Sequence, residues 1–98
     1  MRKSLIPDDS PNRCYICRRY IDGGHTHHML HGSYRKAADK YNLTVHLCPL
    51  CHTELHDHGV YDAELQEIAQ ITFEKIYGHA EFMRVFGKNF RRTDNDTN

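Results

Sequence analysis

Four cysteines and nine histidines carry most of the chemical potential of this 98-residue chain. The cysteines form two knuckles, Cys14-Tyr15-Ile16-Cys17 and Cys48-Pro49-Leu50-Cys51. Two residues between thiolates let both sulfurs reach one ion at about 2.3 Å without strain, and two such knuckles complete a tetrahedral Zn²⁺ shell. Four sulfurs leave no position for water, so this ion is expected to be structural. The stretch between the knuckles is longer than the roughly 15–20 residues of common zinc fingers, which implies that the intervening chain has a task of its own. Two disulfides, or four unrelated buried thiols, are the competing readings of the same cysteines.

Eight of the nine histidines lie between His25 and His58. His27 and His28 are adjacent, and His52 and His56 are four apart. A spacing of four places two imidazoles on one face of a helix, where both can bind the same ion, and a neighbouring strand can present a third. Adjacent strand residues point to opposite faces, so of His27 and His28 one is expected to bind metal and the other to be free for proton transfer. His58, just before Gly59, competes with His56 for the last ligand position. His25, His31, His46 and His79 read as exposed or hydrogen-bonded structural residues.

The elements that must position these groups can be read from the pattern. A short strand is expected at His25–Leu30, after the Gly23-Gly24 bend, and a second at Thr44–Leu47, which alternates and is β-branched. Between them Ser33 can cap a short helix, Tyr34–Lys40, closed by Asn42. Pro49 suits the first turn of a helix carrying Cys51, His52 and His56 and stopped by Gly59. Asp62 is a candidate N-cap for a longer helix over 63–77, ended by Gly78, with Leu65, Ile68, Ala69, Thr72 and Ile76 as its buried stripe. A last segment from Glu81 to Phe90 is expected to pack Phe82, Val85, Phe86 and Phe90. Residues 1–12 read as a flexible leader, 13–60 as the metal-stapled core, 61–92 as a helical extension of the same domain and 93–98 as a flexible tail. The expectation is one small α+β domain of a size at which a hydrophobic core benefits from a metal staple.

Apolar residues make up 39% of the chain, with no Trp, and no apolar run approaches the roughly 18 residues of a membrane span. The start of the chain lacks the apolar stretch of a secretory signal, which predicts a soluble, cytoplasmic protein with reduced thiols. Thirteen Lys plus Arg balance thirteen Asp plus Glu, which argues against coating nucleic acid by bulk charge. The bases are nonetheless uneven: Arg13, Arg18, Arg19, Arg35, Lys36 and Lys40 lie within residues 13–40 with only Asp22 and Asp39 among them.

Thr26-His27-His28, a β-branched strand, and then Leu47-Cys48-Pro49-Leu50-Cys51-His52-x-x-x-His56 resemble the HNH endonucleases. The resemblance covers residues 14–58, and His28 through Ser33-Tyr34-Arg35-Lys36 to Lys40-Tyr41 and the second knuckle looks especially like phage-encoded members. It implies a ββα-metal, treble-clef-like core with additional C-terminal helices. It further implies His27, His52 and His56 as ligands of a catalytic divalent ion and His28 as general base. An aspartate often stands where His27 does, so this would be an all-histidine site, similar to the colicin-type nucleases. The family's central Asn usually sits nine residues before the second ligand; Leu43 occupies that position here, leaving Asn42 or His46 for the role.

The activity so implied is metal-assisted hydrolysis of DNA phosphodiester bonds. Three imidazoles favour Zn²⁺, Ni²⁺, Co²⁺ or Mn²⁺ over Mg²⁺ as the catalytic ion. Arg18, Arg19, Arg35 and Lys36 are the candidates for contacting DNA phosphates, which positions a duplex without reading its sequence. The expected partner is double-stranded or structured DNA in a bacterial host cytoplasm, with a homodimer left open. The competing reading is an inactive zinc-binding adaptor for nucleic acid or protein, or an inhibitor of a host complex, on the same fold.

Overall fold

The computed structural model describes residues 4–22 and 24–91. Among these the chain is α+β, with one two-stranded sheet and four α-helices. Strand β1 (His25–His28) leads through a 3₁₀ turn (Gly32–Tyr34) into α1 (Arg35–Lys40), and the chain returns as β2 (Thr44–Leu47). Helices α2 (Pro49–His58), α3 (Asp62–Tyr77) and α4 (His79–Phe86) follow. Among the described residues no helix is long and apolar enough to cross a membrane.

Local chemistry explains most of these boundaries. Cys48, in extended conformation, caps α2 by accepting the Cys51 N–H on its sulfur, and Pro49 occupies the first turn, where its missing N–H is no loss. Gly59 ends α2 in the left-handed region at φ 69°, which a side chain would oppose. Asn42 takes the same conformation after α1 at φ 59°, a role asparagine tolerates better than most residues.

The strands pair antiparallel with His25 opposite Leu47, Thr26 opposite His46, His27 opposite Val45 and His28 opposite Thr44. Alternation therefore puts His25, His27, Val45 and Leu47 on one face of the hairpin and Thr26, His28, Thr44 and His46 on the other. Helix α2 crosses the first face, bringing its own histidines against those of β1. The register decides the site, because a slip by one residue would turn His27 away from α2.

Residues 4–12, expected as a flexible leader, are instead docked on the hairpin. Ile6 is fully buried, the Leu5 N–H donates to the Asn42 carbonyl at 2.8 Å, and Ser4 Oγ donates to the Thr44 carbonyl. Asp9 accepts twice from His46, from its backbone N–H at 2.8 Å and its ring Nδ1 at 2.7 Å. A segment rich in Pro, Ser and Asp reads locally as loop; its order comes from partners more than thirty residues away, which local composition does not encode. The tail, 93–98, lies outside the described residues.

Helices α3 and α4 close the core, and the stripe α3 presents shares Leu65 and Ala69 with the expected one but is rotated toward Gln70 and Phe73. Leu65, Ala69, Gln70 and Phe73 face inward, Ile68 is half-buried, and Ile76 is 57% exposed. Phe73 sets the rotation: it meets Tyr41, Phe82 and Phe86 edge-on with ring centroids 5.0, 5.4 and 5.8 Å apart. One large ring buries more apolar area than a smaller aliphatic chain, so the helix turns to bury Phe73 and leaves Ile76 outside. Gln70 is buried yet satisfied, donating to Asn89 Oδ1 and Glu74 and accepting the Phe90 N–H at 2.6 Å, which seats the chain after α4. Phe82 and Phe86 are buried as expected.

Phe73→Ala should therefore destabilise the protein by about 3–5 kcal/mol in denaturant unfolding, and Ile76→Ala by no more than about 0.5 kcal/mol. Equal effects would show that the stripe runs through Ile76 after all.

Candidate metal centres

The four cysteines converge. Cys14 and Cys17 lie on the loop before β1, and Cys48 and Cys51 on the first turn of α2; their sulfurs all lie within 4.8 Å of one another. Cys17 Sγ is 3.9 Å from Cys48 Sγ. A disulfide requires about 2.0 Å, whereas two ligands on one tetrahedral Zn²⁺ at about 2.3 Å stand about 3.8 Å apart. All four thiols are free, so the disulfide alternative does not describe this geometry.

The electrostatics agree. Burial raises the pKa of Cys14, but the backbone N–H groups of Cys17, Cys48 and Ile16 outweigh it and hold the thiol at about 6. Cys51 moves the other way, pushed up by burial and by hydrogen bonds within the cluster. Four sulfurs this close cannot all ionise without a cation between them, and a cation is what would let them do so. The N-terminal end of α2, with its partial positive charge, favours the same thiolates.

The second centre sits between the hairpin and α2. His27, His52 and His56 each offer a ring nitrogen within 4.8 Å of the others. His52 Nε2 and His56 Nε2 are 3.0 Å apart, near the roughly 3.3 Å edge of a tetrahedron of nitrogens about 2.0–2.1 Å from an ion. His27 is only 3% exposed, and its Nε2 is buried without a hydrogen-bond partner among the described residues. A buried nitrogen of this kind beside two other imidazoles is chemically suited to ligate a cation. Burial, reinforced by His52 and His56, drops the His27 pKa to about 4, and burial with His56 and His25 lowers that of His52. Neutral rings with available lone pairs are the form that binds metal.

Of the two candidates for the last imidazole, the structure brings in His56. His58 is mostly exposed at the end of α2, with its Nδ1 3.2 Å from Glu54 Oε1. Thr26, His27, His28, His31, Arg35, His52 and His56 line an open cavity of about 210 Å³. His28 turns away from the trio yet lines the same cavity, its Nε2 3.2 Å from Asp39 Oδ1. Asn42 and His46 do not line it. Asn42 closes α1 and receives Leu5, while His46 is held by Asp9.

The basic candidates divide. Arg35 lines the trio's cavity and, with Lys36, His28 and Asp39, an adjoining one. Arg18 is occupied elsewhere, 3.5 Å from Asp8 Oδ2 and stacked over Tyr15. Arg19 lines a separate groove beside the thiol centre with Tyr20, Asp22 and His25.

Three residues without an assigned chemical role in the sequence stand beside the site. Asp39 holds His28; Asp62 accepts from His31 Nε2 at 3.0 Å; and His25 Nδ1 is 2.9 Å from His52 Nδ1. Only His25 carried a sequence signal, since it shares a strand face with His27.

With the thiol centre loaded and the imidazole centre free of metal, His27 should keep a neutral ring in NMR titration down to about pH 4. The unfolded chain protonates this ring near 6.5, so its contribution to stability is present above pH 6.5 and is lost as the pH falls toward 4. A His27 midpoint near 6.5 would contradict the buried placement. Compared with protein-family models, with curated proteins and with solved structures, the chain shows no significant match, so the thiol and imidazole centres themselves carry any assignment of function.

Proposed function

We propose that the protein is a metal-dependent endonuclease of the HNH, ββα-metal type that hydrolyses DNA phosphodiester bonds, with a structural Zn²⁺ in the thiol centre. The observation that carries the reading is the division of labour on β1. His27 is buried with an unpartnered nitrogen facing His52 and His56, while its neighbour His28 is turned away, paired with a carboxylate, on the wall of the same cavity. An inactive adaptor needs the thiol centre but gives no reason for this second arrangement.

His27, His52 and His56 would hold one divalent ion. When bound, it supplies Lewis-acid stabilisation of negative charge on phosphate oxygens. With Nε2–H donated to Asp39, the free lone pair of His28 is on Nδ1, and this atom takes the proton from the attacking water. Asp39 fixes the tautomer and ring orientation, which is the work of the second carboxylate-like partner in general-base pairs. Arg35 and Lys36, beside His28, would bind backbone phosphates and set the register of the strand to be cut. Zn²⁺, Ni²⁺, Co²⁺ and Mn²⁺ are favoured by three imidazoles, with Mg²⁺ the weakest match.

Purified protein, stripped of loosely held metal and resupplied with each ion in turn, should nick or linearise supercoiled plasmid. His28→Ala should reduce the rate by at least about 10²-fold while retaining both ions. If no ion supports cutting of plasmid, single-stranded or branched DNA, the adaptor reading replaces this one. Arg35→Ala with Lys36→Ala should weaken DNA binding and lower the slope of log affinity against log salt by about two, or about one per phosphate contact. An unchanged slope would remove these residues from the interface.

A further inference from the structure

We propose that His25 is a positioning residue for the imidazole centre, selecting the tautomer of His52 that leaves its metal-facing nitrogen unprotonated. The inference rests on His27, His52 and His56 holding a metal, and so on that part of the reading above, but not on DNA cleavage.

The two nitrogens of His52 face different partners. Nε2 lies 3.0 Å from His56 Nε2 within the trio, and Nδ1 lies 2.9 Å from His25 Nδ1 outside it. A neutral imidazole carries one N–H, so one nitrogen donates and the other accepts. If the proton sits on Nε2, His52 cannot ligate through that atom. If it sits on Nδ1, it is donated to the His25 Nδ1 lone pair, and Nε2 presents its own lone pair to the trio. His56 Nε2–H then donates to His52 Nε2, a contact that an ion replaces as the His56 proton moves to its other nitrogen. The chain His56 to His52 to His25 leaves no proton in conflict; the reverse chain fits the same two distances but protonates His52 Nε2, so only the first direction is compatible with ligation through that atom.

The backbone builds this contact. His25 and His27 are two apart on β1 and share the face crossed by α2, so the strand that supplies a ligand also supplies the partner of the next ligand. The rings of His25 and His52 meet edge-on at 69° with centroids 5.0 Å apart, an orientation that points ring edge nitrogens at each other. Ligating histidines ordinarily use a carboxylate, a carbonyl or water in this position, and partners of that kind tune affinity by about 10–100-fold. An exposed imidazole, a weaker partner than a carboxylate, belongs at the low end of that range. The neighbours of His25 across the groove are Arg19 and Asp22, and neither is hydrogen-bonded to it among the described residues.

The test compares His25→Phe, which keeps the ring and loses the acceptor, with His25→Asn, whose side-chain oxygen can stand where Nδ1 stands. Each protein is prepared with the thiol centre filled with Zn²⁺, its fold is checked by circular dichroism, and Co²⁺ is titrated into the imidazole centre by its visible absorption. His25→Phe should bind Co²⁺ about 10-fold more weakly and His25→Asn about as tightly as the unaltered protein. In ¹⁵N NMR before Co²⁺ is added, His52 should be the Nδ1–H tautomer in the unaltered protein and in His25→Asn, and shift toward Nε2–H in His25→Phe. Equal Co²⁺ affinity in all three, equal loss in both variants, or an unchanged His52 tautomer in His25→Phe would each overturn the proposal. Normal Co²⁺ behaviour in a protein that cuts no nucleic acid would instead leave His25 its role and remove the nuclease reading.

Discussion

Helix α2 is anchored against the hairpin through its first turn, which it shares with the N-terminal knuckle. Cys48 and Cys51 sit at its start, within ligand distance of Cys14 and Cys17, and His52 follows immediately. Few apolar contacts fix this helix: Leu55 is its one buried residue. A ten-residue helix with one buried side chain is marginal by itself, so its placement falls to the thiol cluster and to the hairpin it crosses. The imidazole trio spans the same interface, with His27 from the strand and His52 and His56 from the helix. The geometry of the second centre is therefore inherited from the first.

Much of this was legible from residue spacing. The two C-x-x-C knuckles, the Thr44–Leu47 strand, the Pro49 start and Gly59 stop of α2, and the pairing of His52 with His56 are all local patterns, set within one turn or one strand. They appear in the structure at or within a residue or two of the expected bounds. What was not legible depends on partners distant in sequence. Asp9 reaching His46, Asp39 holding His28, and His31 meeting Asp62 are ordinary surface-type residues until the fold brings them together. The face of α3 was legible at Leu65 and Ala69 but not at its C-terminal end, where both Phe73 and Ile76 have helical spacing and only the aromatic cluster around Tyr41, Phe82 and Phe86 selects Phe73.

The histidines illustrate how one residue type is divided into separate tasks by its surroundings. Burial without a partner makes His27 a neutral donor of a lone pair. A carboxylate beside His28, a second imidazole beside His52, and a buried carboxylate beside His46 give each ring a different hydrogen-bond pattern. The side chain of Asp9 in particular is 2% exposed, and its carboxylate is satisfied by the backbone N–H and ring N–H of one residue. That contact fastens the N-terminal segment beside β2, where Thr44 and His46 are half-buried, while Thr26 on the same face of the hairpin stays exposed.

Cys51 and His52 are consecutive, yet they serve different centres made of different ligand atoms. Thiolates select soft or borderline ions and imidazoles accept a wider range, so the two centres discriminate between metals to different degrees. If both centres take up ions, the trio's need for α2 seated against β1 would make the thiol centre the first to fill, as the chain folds, and the imidazole centre a site only afterwards. On that reading the second ion would be exchangeable without unfolding the protein, while oxidation of the thiols would dismantle both centres.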